Sequence, residues 1–159
     1  KPDYIRVEAD EVTYNLHIML RYEIEKLIFN QELSVEKIPE TWNQMFEDWF
    51  GIEVDKDSNG CLQDIHWSMG AFGYFPTYTL GNLYAAQLLE TMSKQLGDID
   101  TLVESGNWSG IQVWLRENIH QKGSQSSATE LIEEITGSAP SPEPFLNYVE
   151  NKYRRLYKL

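Results

Sequence analysis

This sequence is short of the residues with which proteins form cross-links or coordinate metals. Of its 159 residues, one is cysteine (Cys61) and three are histidine (His17, His66 and His120). A single cysteine excludes an internal disulfide and fits a reducing compartment, so the cytoplasm is the expected location. No two histidines stand four apart, the spacing that sets two imidazoles on one helix face around a metal, and no H-E-x-x-H occurs. No metal is therefore expected to bind this chain. No apolar run is long enough to cross a membrane, and no secretion-signal pattern stands within these residues. Positive charge is scarce: 13 Lys and Arg face 25 Asp and Glu, for a net charge of -12. Such a surface repels phosphate backbones, which argues against nucleic acid as a partner. A Gly-rich phosphate loop, a serine nucleophile elbow and any alternating strand pattern of useful length are also missing.

What is present is helical punctuation and aromatic bulk. Five Trp and nine Tyr in a chain of this length can furnish the core of one domain. Acidic residues are interleaved with apolar ones, as on solvated helix faces. From Ala9 to Glu32 there is neither Gly nor Pro, and Val12, Leu16, Met19, Leu20, Leu27 and Ile28 recur at helical spacing. A second helix follows Ser34 and Pro39, with Trp42, Met45, Phe46 and Trp49 on one stripe and Gly51 as its C-cap. Further helices are expected over Tyr78–Gln95, Ile99–Glu104, Trp108–His120 and Ala128–Thr136. A proline-stiffened loop over Gly137–Pro144 leads to a terminal helix from Phe145. Lys152, Arg154, Arg155 and Lys158 place favourable positive charge at that helix's end; a partner-binding role is the alternative. A short strand is the one non-helical element expected, between Ile65 and Phe75. The fold class is all-α.

Chemistry concentrates in Gly60-Cys61-Leu62-Gln63-Asp64-Ile65-His66-Trp67 and Gly73-Tyr74-Phe75-Pro76-Thr77-Tyr78. Tyr and His gathered on a turn and the helix after it can donate hydrogen bonds to a developing oxyanion. For His66 the competing reading is a core histidine satisfied by the nearby Asp64. For Tyr74 and Tyr78, four apart, it is two aromatics packed in a core, and Pro76 interrupts the helix that would align them. Gly70 and Gly73 let the backbone bend close to a ligand. Asp55-x-Asp57-x-Asn59-Gly60 imitates half a calcium loop. The position that must supply a bidentate carboxylate is His66, so calcium is rejected and the segment reads as a turn. Cys61 has no activating base and reads as a small apolar side chain. His17 and His120 receive no role.

Two segments carry a resemblance. Gly60 to Trp67 is similar to the G-x-x-Q-D-x-H-W signature of the M32 metallocarboxypeptidases, the carboxypeptidase Taq family. Ile5-Arg6-Val7-Glu8-Ala9-Asp10 resembles that family's I-R-x-x-A-D. The likeness extends through Lys152-Tyr153-Arg154-Arg155-Leu156-Tyr157. It implies a helical, zincin-like peptidase of which residues 1–159 form a single C-terminal region. The zinc helix would stand upstream, so this chain reads as an expressed piece, a proteolytic product or a truncated gene product. Zinc is the implied cofactor of the complete enzyme, with no ligand in this chain. His66 with Tyr74 or Tyr78 would stabilise the oxyanion and touch substrate. Arg6 would bind the substrate's terminal carboxylate through two parallel hydrogen bonds, with pairing to Glu8, Asp10 or a residue of the absent half as the alternative. Gln63 is placed at the substrate, with loop support as its other reading. Asp10, Asp64 and Trp67 are structural supports.

The complete enzyme would release single residues from the C-terminus of peptides, and this chain alone would be inactive. Its implied partners are peptide substrates, the absent N-terminal half and, as a further possibility, a second copy. Two alternatives belong to other classes: a catalytically inert relative that binds peptides, and a purely structural dimerisation piece.

Overall fold

The computed structural model describes residues 2–159. Among the described residues every regular element is helical, in the order α1 (Tyr14–Phe29), α2 (Ile38–Phe50), α3 (Pro76–Leu96), α4 (Ile99–Glu104), α5 (Ser109–Asn118), α6 (Ala128–Thr136) and α7 (Glu143–Tyr157). Short 3-10 turns lie at Arg6–Glu8, Val35–Lys37, Trp67–Met69 and His120–Lys122. The chain divides into two compact units, residues 1–80 and 81–159. Among the described residues, no helix is long and apolar enough to cross a membrane.

In the first unit, α1 begins at Tyr14 rather than Ala9. Asp10 turns its side chain onto the following backbone: Oδ1 accepts from the Val12 and Thr13 amides at 2.9 and 3.0 Å, and Oδ2 from the Thr13 hydroxyl at 2.8 Å. A short carboxylate that captures local amides competes with helical pairing and delays the helix. Burial works against ionisation of Asp10, yet the Thr13 bonds hold its carboxyl below the ordinary value.

The face α1 buries also differs from the expected stripe. Leu20 and Ile24 are buried together with His17, Ile18, Arg21 and Glu25, whereas Val12 and Met19 are exposed. His17, Arg21 and Glu25 recur every four residues, so they line one side of the helix. That side turns inward because the two charged members find polar partners on the 64–73 segment. In α2 the buried stripe is Trp42, Phe46 and Phe50, and Trp49 is exposed. Spacing of four from Trp42 leads to Phe46 and Phe50, which carries Trp49 off the stripe. Gly51, at φ 68°, ends α2 in the left-handed cap expected of it.

The core joins Leu20 and Ile24 to Trp42, Phe46, Phe50, Val54 and Cys61. Phe46 and Phe50 stack at 4.3 Å, and His17 lies against both, 5.6 and 4.6 Å between centroids. His17 is fully buried, and burial together with the charge of Arg21 pushes its pKa down to about 4. Neither of its ring nitrogens has a hydrogen-bond partner.

The expected strand between Ile65 and Phe75 is absent among the described residues. The segment instead winds into the 3-10 turn Trp67–Met69, closed by Gly70 at φ 73°, with the Ala71 amide donating back to the His66 carbonyl at 2.9 Å. Local pairing there leaves no row of free amides for a neighbouring strand.

In the second unit, α6 begins with a reciprocal capping box between Ser127 and Glu130 and ends at Gly137. α7 starts at Glu143, so Pro144 falls inside its first turn, where the missing amide donor costs nothing. Gln87 of α3, 3% exposed, ties down the 136–141 loop. Its amide nitrogen donates to the Thr136 and Ser138 hydroxyls and to the carbonyls of Ser138 and Ala139, and its oxygen accepts from the Ser141 amide.

Candidate functional site

The residues singled out in the sequence converge in the first unit, where the 60–78 segment lies against α1. Asp64 is the hub. Its Oδ1 accepts from Arg6 Nη2 at 2.7 Å and its Oδ2 from Arg21 Nε at 2.7 Å. Arg21 Nη2 is a further close ion contact at 2.6 Å. One carboxylate thus serves two guanidinium groups, and the arginines are only 6% and 1% exposed. Both cations also lie over aromatic faces: Arg6 is 5.1 Å from the Tyr78 ring and Arg21 4.7 Å from that of Trp42.

The electrostatics follow from this crowding. Burial pulls Arg21 down to about 10, with Asp64 opposing the fall. Burial also works against Arg6, but the hydrogen bond and charge of Asp64 outweigh it and raise its pKa. Burial would raise Asp64; the Arg6 and Arg21 guanidiniums overcome that and hold its carboxyl below the ordinary range. All three groups stay charged at neutral pH.

Two expected substrate contacts are re-read by this geometry. Arg6 was to grip a substrate carboxylate with its fork, but Asp64 fills the fork, and Nη1 donates to the Tyr14 hydroxyl at 3.1 Å. Its partner is also neither Glu8 nor Asp10. Gln63 spends its amide on backbone: Oε1 accepts from the Arg6 amide at 2.8 Å, and Nε2 donates to the carbonyls of Tyr4 and Asn59 at 2.9 and 3.0 Å. It fastens the 60–67 segment to the 4–6 segment.

The three residues expected to do chemistry do come together. His66 Nε2 stands 3.2 Å from the Tyr78 hydroxyl. The His66 ring packs on Phe75 at 4.4 Å and lies 5.6 Å from Tyr74, and Tyr74 meets Tyr78 edge-on at 5.5 Å. Pro76 opens α3, so Tyr74 precedes the helix and Tyr78 sits in its first turn. His66 Nδ1 is buried without a hydrogen-bond partner, 3.8 Å from Asp64 Oδ1. A proton on Nδ1 faces that carboxylate favourably, whereas a lone pair there would be repelled. On this electrostatic argument we assign the Nδ1–H tautomer to a neutral His66, which leaves Nε2 to accept from the Tyr78 hydroxyl. Burial, and then the proximity of Tyr74, raise the Tyr78 pKa. Tyr74 is 49% exposed and is the more exposed phenol of the pair, Tyr78 being half-buried.

Sequence reasoning missed two residues. Arg21 supplies half of the hub. Glu25, 4% exposed, accepts from the Trp67 indole at 2.7 Å through Oε1 and from the Gly73 amide at 3.0 Å through Oε2. The signal lay in polar side chains at 17, 21 and 25, repeated at the helical interval beside apolar Leu20 and Ile24. Among the described residues, no group of three or more His, Cys, Asp or Glu is placed to hold a metal ion.

A sequence model of carboxypeptidase Taq (M32) metallopeptidases matches residues 1–153. Carboxypeptidase 1 of Bacillus subtilis (strain 168) is 48% identical over 159 residues, which is 100% of this chain and 32% of that protein. Thermostable carboxypeptidase 1 of Thermus thermophilus is 48% identical over 157 residues, 99% of this chain and 31% of its own length. The crystal structure of the M32 carboxypeptidase from Deinococcus radiodurans R1 matches with a TM-score of 0.96 at 34% identity, covering 100% of this chain and 32% of that one. The chain therefore spans 31–32% of the length of these relatives.

Proposed function

Since this chain belongs to the carboxypeptidase Taq (M32) metallopeptidase family, we propose that it is one part of an enzyme that removes single residues from the C-terminus of peptides. The observation that carries this reading is the His66–Tyr78 contact with solvent-exposed Tyr74 beside it. When water attacks a peptide carbonyl, its oxygen gains charge, and a fixed phenol donor stabilises that charge. Tyr74 is the donor we assign, because the Tyr78 proton is directed at His66. His66 and Tyr78 orient each other and form the polar wall beside it. Arg6 supports Asp64, and a substrate carboxylate would have to displace Asp64 to reach its fork.

Zinc is the metal we propose for the complete protein. The described residues do not fit it: no cluster of His, Cys, Asp and Glu converges. We place its ligands in the remaining portion of that protein. Exposed apolar side chains support the remaining portion of the same protein as a partner. Leu62, Ile65 and Met69 recur at three- and four-residue intervals on one segment, 65–70% exposed. Water-facing apolar residues grouped in this way mark a surface that another body covers.

The test is a chimera in which this chain replaces the matching 32% of Bacillus subtilis carboxypeptidase 1, assayed for residue release from an N-blocked peptide beside the unaltered relative. The chimera should release C-terminal residues, and Tyr74→Phe should lower its turnover by roughly 100- to 1000-fold without loss of fold. A folded, metal-loaded chimera that releases nothing, while the relative does, would sink the proposal. Peptide affinity without turnover would favour a binding module instead.

A further inference from the structure

We infer that Arg21 and Glu25 are positioning residues, a two-point clamp on α1 that fixes the segment carrying His66 and Tyr74. Four residues apart, they project from the same side of the helix. Arg21 grips Asp64, two residues before His66. Glu25 grips Trp67, the residue after His66, and Gly73, the residue before Tyr74. Each reacting side chain is thereby bracketed or abutted by an anchored position. The clamp is itself braced, because Arg21 Nη1 also donates to the carbonyl of His17 one turn back, at 2.7 Å.

The chemistry of the Glu25 site argues for this role. A buried charge is costly, and one N–H could be satisfied by a neutral oxygen. Two donors arriving from two parts of a loop need an acceptor at each end of one side chain and no donor of its own. Only a carboxylate meets that need. Gly73 takes part through its backbone: at φ 75° it adopts a conformation that side-chain-bearing residues avoid, and this aims its amide at Glu25. The loop between Asp64 and Gly73 thus rests on α1.

The catalytic consequence rests on the proposed function; the clamp does not, so two measurements separate them. On the chain itself, labelled with nitrogen-15, the Trp67 indole and Gly73 amide protons should exchange at least about 100-fold more slowly than free groups. Glu25→Gln should abolish that protection at whichever of the two sites the new NH2 opposes, while α2 amides keep theirs. Fast exchange in the unaltered chain, or protection that survives Glu25→Gln at both sites, overturns the clamp. In the chimera described above, Glu25→Gln should lower kcat about a hundredfold with KM changed less than about threefold, as expected when reacting groups are displaced while binding is kept. An unchanged kcat in a folded variant overturns the positioning role. If Glu25→Gln does not fold, Trp67→Phe removes one donor and keeps a ring. It should lower kcat at least about tenfold at unchanged KM, and wild-type turnover refutes the inference. An inactive unaltered chimera defeats the proposed function alone, and the exchange rates then decide the clamp.

Discussion

Asp64→Asn is the perturbation that probes the hub most directly. The carboxylate stands between two arginines 6% and 1% exposed, at 2.7 Å from Arg6 Nη2 and 2.6 Å from Arg21 Nη2. Removing one partner of a buried ion pair costs about 3–5 kcal/mol, because the other charge is left uncompensated. Asparagine keeps one oxygen for one guanidinium and turns an NH2 toward the other, so the loss falls at the upper end of that range. Native stability is about 5–15 kcal/mol, so the change removes a large share of it. With a urea slope of about 2 kcal/mol per molar, the midpoint should fall by about 2 M. Urea titration followed by tryptophan fluorescence, with Trp108→Phe and Trp114→Phe as background, reads the unit that holds Trp42, Trp49 and Trp67. Adding Arg21→Met to Asp64→Asn should recover part of the loss, because one unpaired cation is then gone. The pH dependence has a definite sign. The folded carboxyl lies below its ordinary value, so its contribution is complete above that value and is lost as pH falls through the folded pKa. The gap between wild type and Asp64→Asn should narrow below about pH 4. A cost under about 1 kcal/mol, or no recovery on removing Arg21, refutes the reasoning.

His17 titrates in a different window. Its folded pKa of about 4 lies under the ordinary 6.5, so the unfolded chain takes up the proton first and stability falls as pH drops from 6.5 towards 4. His17→Leu should flatten that slope, worth about 1.4 kcal/mol per pH unit, in urea titrations at pH 7 and pH 5. Phe46→Ala should cost about 3–5 kcal/mol, since the ring is fully buried and stacked on Phe50 at 4.3 Å; a midpoint shift smaller than that of an exposed Tyr22→Ala would contradict the packing. Cys61 is buried, and burial and then Asp57 raise its pKa, so a thiol reagent should modify it only after urea unfolds the chain. Fast modification of the native protein would place the thiol elsewhere.

Elements governed by local chemistry were legible in the sequence. Gly51 and Gly137 end α2 and α6 as their positions suggest, and the Ala128–Thr136 helix has the expected bounds. Elements governed by distant partners were not. The start of α1 depends on what Asp10 bonds, and the inward face of α1 depends on Asp64 and Trp67, more than forty residues away. Hydropathy alone assigns Met19 and Val12 to the core, because nothing in the α1 sequence shows that Arg21 and Glu25 have polar counterparts on the 64–73 segment. The grouping of His66, Tyr74 and Tyr78 was visible from their closeness in the chain. The filled fork of Arg6 was not, since a motif fixes a residue's identity and leaves its partner open. The expected strand failed for a local reason: the His66 carbonyl captures the Ala71 amide and curls the segment.

The single amide of Gln87 shows how narrow the tolerance of a loop can be. It shares its protons among four oxygens and takes one from a fifth group, so the direction of every bond is set by which end is nitrogen. Deamidation, or one nucleotide change in its codon, would exchange that nitrogen for oxygen with almost no change of shape. The Ser138 and Ala139 carbonyls would then face a negative oxygen where a donor had stood. A substitution usually counted among the mildest would here reverse the polarity of a fastening, and the 136–141 loop would come away from α3 through chemistry alone, with no change in volume to announce it.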